Sequence, residues 1–92
     1  MATFIMFGKF STNALKDISA ERTKKSADIV KKCGGEAKAI YALLGDIDAV
    51  AIADFPDVKA AMKASVELSK LLGVSFTTAP AMTIEEFDSL FK

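Results

Sequence analysis

Apolar and polar positions along this chain switch between two periods. From Thr3 to Phe10 they alternate: Phe4, Met6 and Phe10 face one way, Ile5 and Phe7 the other. This predicts a first strand with two apolar faces, both of which need cover. The period then lengthens. Leu15, Ile18, Arg22, Ser26, Ile29 and Cys33 recur at helical spacing, and Val30 widens the stripe. Ser11 or Thr12 is the expected N-cap. Lys31 and Lys32 suit the C-terminal end, and Gly34-Gly35 stops the helix.

Two strand-length apolar runs come next. Lys38-Ala39-Ile40-Tyr41-Ala42-Leu43-Leu44 and Ala49-Val50-Ala51-Ile52-Ala53-Asp54-Phe55 flank Gly45-Asp46-Ile47-Asp48. Gly-Asp is turn chemistry, so residues from about Glu36 to Phe55 read as a buried β-hairpin with two carboxylates at its tip. In the second run Val50 and Ile52 share one face, and Ala49, Ala51, Ala53 and Phe55 the other.

Pro56 ends that strand, and Asp57 is the expected N-cap of a second helix. Val58, Ala61, Met62, Ser65, Leu68, Ser69 and Leu72 would form its buried face, with Gly73 as its stop. Val74 to Ala79 predicts a fourth strand closed by Pro80. Thr83-Ile84-Glu85-Glu86 reads as a capping box for a last helix carrying Phe87, Leu90 and Phe91.

Strand, helix, strand, strand, helix, strand, short helix is the split βαβ order. The expected fold class is α+β, a ferredoxin-like βαββαβ domain with an antiparallel four-stranded sheet and a short C-terminal helix. One domain, residues 1–92, accounts for the whole chain. Packed ordinarily it would have a radius of gyration of roughly 12 Å. Two helices cover only one face of such a sheet. The other face is not polar here, and the chain is 51% hydrophobic. Association through the sheet face, giving a homodimer or higher homo-oligomer, is therefore expected.

Charge narrows the partners. Twelve basic and twelve acidic side chains leave a formal net charge of zero, so no strong field steers nucleic acid or anionic lipid. The RNA-recognition module shares this strand order and stacks bases on aromatics of its first and third strands. Phe4, Phe7 and Phe10 are available on the first strand, but Ala49-Val50-Ala51-Ile52-Ala53 offers no platform on the third. No nucleic-acid partner is expected. Nor is a membrane, since no run approaches the ~20 apolar residues of a spanning helix. Met1-Ala2-Thr3-Phe4 has no basic leading segment, and the single cysteine can form no internal disulfide. The expected location is the cytoplasm.

The candidate site residues are Arg22, Tyr41, Asp46 and Asp48. Asp46 and Asp48 are the compact acidic pair. Turn chemistry alone explains them, and the alternative is a carboxylate that contacts a ligand. As metal ligands they are poor, lacking histidine and a third donor, and no cofactor is expected. Arg22 is the sole arginine beside eleven lysines and falls on an apolar stripe. It is expected in a structural ion pair with Asp46, Asp48 or Asp54, or as a clamp on a ligand carboxylate or phosphate. Tyr41 packs in the core through an amphipathic ring or lines a pocket. Cys33, at a helix C-terminus with no histidine to activate it, reads as a small buried hydrophobe. The absence of histidine excludes His-dependent triads, His-ligated zinc and His-ligated haem.

Gly45-Asp46-Ile47-Asp48 resembles the Gly-x-Tyr-Asp signature of the GYD-domain family. Phe7-Gly8-Lys9-Phe10, a first helix with Arg22 that ends at Gly34-Gly35, and Thr83-Ile84-Glu85-Glu86-Phe87 agree with it. The resemblance implies a fold similar to the dimeric α/β-barrel group and supplies no biochemistry. It also departs at one point, since Ile47 stands where the signature has tyrosine, which leaves the role of that ring open. The expected function is an uncharacterised small oligomeric module for assembly or small-molecule binding. The alternatives are a cofactor-independent enzyme of the dimeric α/β-barrel type, using Tyr41, Arg22 and Asp48, or a ligand-sensing regulatory domain.

Overall fold

The computed structural model describes residues 1–12 and 19–92. The described elements are β1 (Ala2–Phe10), α1 (Ala20–Lys32), β2 (Glu36–Ala42), β3 (Ala49–Phe55), α2 (Val58–Leu72), β4 (Val74–Ala81) and α3 (Ile84–Ser89). The four strands form one antiparallel sheet in the order β2-β3-β1-β4, the ferredoxin-like arrangement expected from the element order. No described helix is long and apolar enough to cross a membrane.

α1 and α2 lie on the same face of the sheet. Phe4, Met6, Ala53, Phe55 and Val74 point into that layer and are buried with Val30 of α1 and Ala61, Ala64 and Leu68 of α2. Phe4 and Phe55 meet edge to face, their ring centroids 5.9 Å apart. The alternation read in β1 therefore resolves with Phe4 and Met6 inward and Ile5 and Phe7 on the uncovered face.

Helix ends follow local chemistry. Ser19 is the N-cap of α1, its Oγ accepting from the Arg22 N–H. This helix thus starts later than the expected cap at Ser11 or Thr12, and Leu15 and Ile18 lie outside the described residues. At its other end the Gly34 and Gly35 N–H groups donate to the Lys31 and Val30 carbonyls. With Gly34 at φ 80° this is a Schellman motif. Asp57 caps α2 by accepting from Ala60 N–H. On α3, Thr83 Oγ1 accepts from the Glu86 N–H, one arm of the expected capping box, and donates to Glu86 Oε1 in place of the backbone arm.

Several expectations need correction. Leu43 and Leu44 are not strand residues: β2 stops at Ala42, and a six-residue loop carries an exposed tip on which Leu44 is fully solvated. Val58 and Met62 are exposed, because Ala61, Ala64 and Leu68 set the inward direction of α2 and place those two outside it. Pro80 does not close β4, which runs on to Ala81 with Pro80 opposite Phe4. An edge strand tolerates proline because the missing N–H would have faced outward. The radius of gyration is 13.7 Å and the long axis 49 Å, larger than ordinary packing gives, since α3 packs extensively against no other element.

Candidate functional site: an apolar cavity and an open sheet face

The two faces of the sheet offer different surfaces. On the helix side, a partly enclosed cavity of about 290 Å³ lies between α1, the C-terminal half of α2 and the strands. Alanine creates it. Ala37 and Ala42 of β2 and Ala49, Ala51 and Ala53 of β3 all line it, so this half of the sheet supplies methyl groups where Phe4, Met6 and Phe55 fill the other half. Met6, Phe10, Val30, Ile40, Leu68, Leu72, Val74 and Phe76 complete an almost wholly hydrocarbon wall.

The polar groups at its margin are turned to the backbone. Ser26 Oγ donates to the Arg22 carbonyl at 2.8 Å, and Thr23 Oγ1 to the Ser19 carbonyl at 3.4 Å. Arg22 Nη2 donates to the Leu72 carbonyl at 2.7 Å. Leu72 is the last residue of α2, where carbonyls lack helical partners and a cation meets the negative end of the helix dipole. This described contact of Arg22 is thus with a helix terminus, and no described ion pair joins it to Asp46, Asp48 or Asp54. The cavity's described lining contains no carboxylate, lysine or thiol, so it can hold an apolar group but offers no acid–base pair.

The aspartates are committed elsewhere. Asp48 Oδ2 accepts from the Phe10 N–H at 2.8 Å, while its own N–H donates to Gly8 and its carbonyl accepts from Leu43. Asp54 Oδ1 accepts from Thr3 Oγ1 at 2.7 Å, and Oδ2 lies 3.5 Å from Lys38 Nζ. A register shift between Ala37 and Ala39 makes Lys38 a bulge residue, and its ammonium also reaches Glu36. Asp46 is exposed in the loop. Among the described residues no group of three His, Cys, Asp or Glu side chains is placed to hold a metal. Of the four candidates, then, Arg22 and Tyr41 border the cavity, and Asp46 and Asp48 do not.

Tyr41 belongs to both surfaces. It borders the cavity, yet its partner across the ladder is Val50, a residue of the uncovered face. On that face Ile5 pairs with Ile52 and Ala79, and Phe7 with Val50 and Thr77. Ile5, Phe7, Val50, Ile52 and Tyr41 make an apolar centre, with Phe7 37% and Tyr41 59% exposed. Thr3, Asp54, Glu36 and Lys38 form a polar margin at one end. Apolar centre and polar rim are the anatomy of a protein interface. Missing from the sequence reading was the role of alanine in opening the cavity. Its signal was there: Ala49, Ala51 and Ala53 alternate along one strand, and Ala37 and Ala42 lie on the strand beside it.

A ferredoxin-like α+β domain with one covered and one open sheet face is the class of protein this defines. Residues 4–91 match the model of the GYD domain, and the chain belongs to the GYD-domain family. The search of curated proteins finds no match.

Proposed function

We propose that this chain is a homo-oligomeric module that pairs through its open sheet face, working in the cytoplasm. The row Ile5, Phe7, Val50 and Ile52, with no described helix over it, carries the reading. Pairing removes that row from water at roughly 25 cal/mol per Å² of apolar surface. Zero net charge lets two copies approach without long-range repulsion. Sedimentation equilibrium tests it: the native chain should be a dimer or larger at micromolar concentration, and Phe7→Glu a monomer with unchanged circular dichroism. A native chain that stays monomeric near 1 mM refutes it.

The cavity supports a second reading, the binding of a small uncharged apolar molecule. Its volume sits at the lower end for ligand sites. A ligand present at 100 times its dissociation constant would add about 2.7 kcal/mol to stability, which a thermal-shift screen of small aromatic and short-chain compounds would detect. Such binding also serves a ligand-sensing role. An enzymatic role has less support, because the described contacts of Arg22 and Asp48 are backbone groups.

A further inference from the structure

α3 is an amphipathic helix that packs extensively on no described element. Ile84, Phe87, Leu90 and Phe91 fall on one side, and Glu85, Glu86 and Asp88 on the rest. None of its residues is buried, and Phe87 and Phe91 touch only each other among aromatic rings, with centroids 5.3 Å apart. Six residues in water are far below the roughly 12–15 at which an isolated helix becomes even marginal. A capping box alone does not offset that difference, so α3 needs a surface.

A fitting surface lies on α2. Val58, Met62 and Val66 recur every four residues and are all exposed. They form a stripe beside the flank where Ser65 meets Thr78 of β4. Next to the stripe the outer side of α2 carries Lys59, Lys63 and Lys70, with Glu67 one turn after Lys63. An apolar stripe edged mainly by lysines on α2 thus complements an apolar stripe edged by carboxylates on α3.

Area says which chain brings them together. Four strands about 4.8 Å apart and about seven residues long make a face of roughly 450 Å². Two such flat footprints total roughly 900 Å², small beside the ~1,200–2,000 Å² of accessible surface that specific interfaces bury. Sheet pairing alone would thus be a small interface, and the bare arm and bare α2 stripe supply additional apolar area. We infer that α3 of each copy clasps the Val58–Met62–Val66 stripe of the copy it pairs with, so that the arms are exchanged reciprocally. This rests on the sheet pairing proposed above.

Full-length chains in a Cys33→Ala background test it with a short bis-maleimide. Met62→Cys and Phe87→Cys chains carrying different tags, mixed before cross-linking, should give a covalent heterodimer. Phe87→Asp with Leu90→Asp should weaken dimerisation more than about tenfold with the domain still folded. Glu85→Lys, Glu86→Lys and Asp88→Lys together should weaken it as well, and Lys59→Glu, Lys63→Glu and Lys70→Glu in the same chain should restore it. The clasp is overturned if Met62→Cys/Phe87→Cys links only within one chain. It is equally overturned if no link forms and the arm variants dimerise as the native chain does, including where α3 instead captures an unrelated protein. A Phe7→Cys chain reports the sheet pairing separately. Its self-linking without an arm link sinks only the clasp, and an arm link without it sinks the sheet pairing.

Discussion

The Asp48 carboxylate accepts the backbone N–H of Phe10 at 2.8 Å, across 38 residues of sequence. Phe10 is the last residue of β1, and Asp48 immediately precedes β3. Together with Asp48 N–H to the Gly8 carbonyl, the contact fastens the loop of the β2–β3 hairpin to the end of the central strand. The second aspartate of Gly45-Asp46-Ile47-Asp48 is therefore a stitch within the fold. A hydrogen bond to a charged acceptor contributes about 1.5–3 kcal/mol. Asp48→Ala should lower stability by about that amount. Asp48→Asn, which keeps an acceptor oxygen, should cost less than about 1.5 kcal/mol. Urea unfolding with an unchanged m-value measures both. Equal losses for the two substitutions would show that the hydrogen bond is not what matters.

Arg22 makes the corresponding stitch between helices. Its Nη2 reaches the Leu72 carbonyl at 2.7 Å, joining α1 to the C-terminus of α2. Arg22→Ala should destabilise by about 1–3 kcal/mol, through the orphaned carbonyl and the lost packing of the alkyl stem. Arg22→Lys should recover part of this, because it keeps the cation at the helix terminus but not the fork geometry. Chemical denaturation compares the three chains. A melting temperature indifferent to Arg22→Ala would remove the stitch from the account.

These two contacts also mark where the sequence stops being legible. Alternation in β1 and β3 and the 3.6-residue period of α2 depend only on neighbours in sequence, and they gave the element order and the sheet class. Which sheet face the helices take depends on distant partners, such as Phe55 against Phe4. Val58 and Met62 were read inward because α2 carries two apolar stripes, and periodicity cannot say which one faces the sheet. Leu43 and Leu44 read as strand because a hydrophobic run conceals where pairing ends. Pro80 read as a stop because edge position is a property of the assembled sheet. Arg22 was expected in an ion pair or on a ligand anion, and the Leu72 carbonyl it reaches, 50 residues away, leaves no mark on composition. Of the candidate site residues only Arg22 and Tyr41 border the cavity, and Ala49, Ala51 and Ala53 were read as one strand face with no site attached.

Adjacent glycines should respond very differently to a methyl group. Gly34 has φ 80°, and a Cβ there would lie 3.3 Å from Pro56 Cγ. Gly34→Ala thus costs mainly the left-handed backbone, about 1–2 kcal/mol. A Cβ on Gly35 would lie 2.5 Å from Phe55 Cδ1 and 2.7 Å from the Asp54 carbonyl oxygen. Phe55 is fully buried and the second obstacle is backbone, so neither can yield cheaply. Gly35→Ala should cost more than about 3 kcal/mol, a large share of a total of about 5–15. Thermal melts of the two variants side by side check the order, and a milder effect at Gly35 would mean that β3 does not pass this close to the end of α1.

Ser65 and Thr78 join α2 to β4 through hydroxyl oxygens 2.7 Å apart. Ser65 Oγ also donates to the Ala61 carbonyl at 2.8 Å. A serine hydroxyl has a single proton, so Thr78 must be the donor between them. Ser65→Ala leaves the Thr78 hydroxyl without its acceptor. Thr78→Val keeps the shape and leaves the lone pairs of Ser65 without a donor. Each should cost about 1–2 kcal/mol, because an unmatched half-buried hydroxyl carries its desolvation penalty. Removing both also removes the mismatch, so the double variant should cost less than the sum, with a coupling of about 0.5–1.5 kcal/mol. Urea titrations of the four corners of this cycle give the coupling directly. Strict additivity would mean that the two hydroxyls do not interact in solution and that apolar burial alone holds α2 to the edge strand.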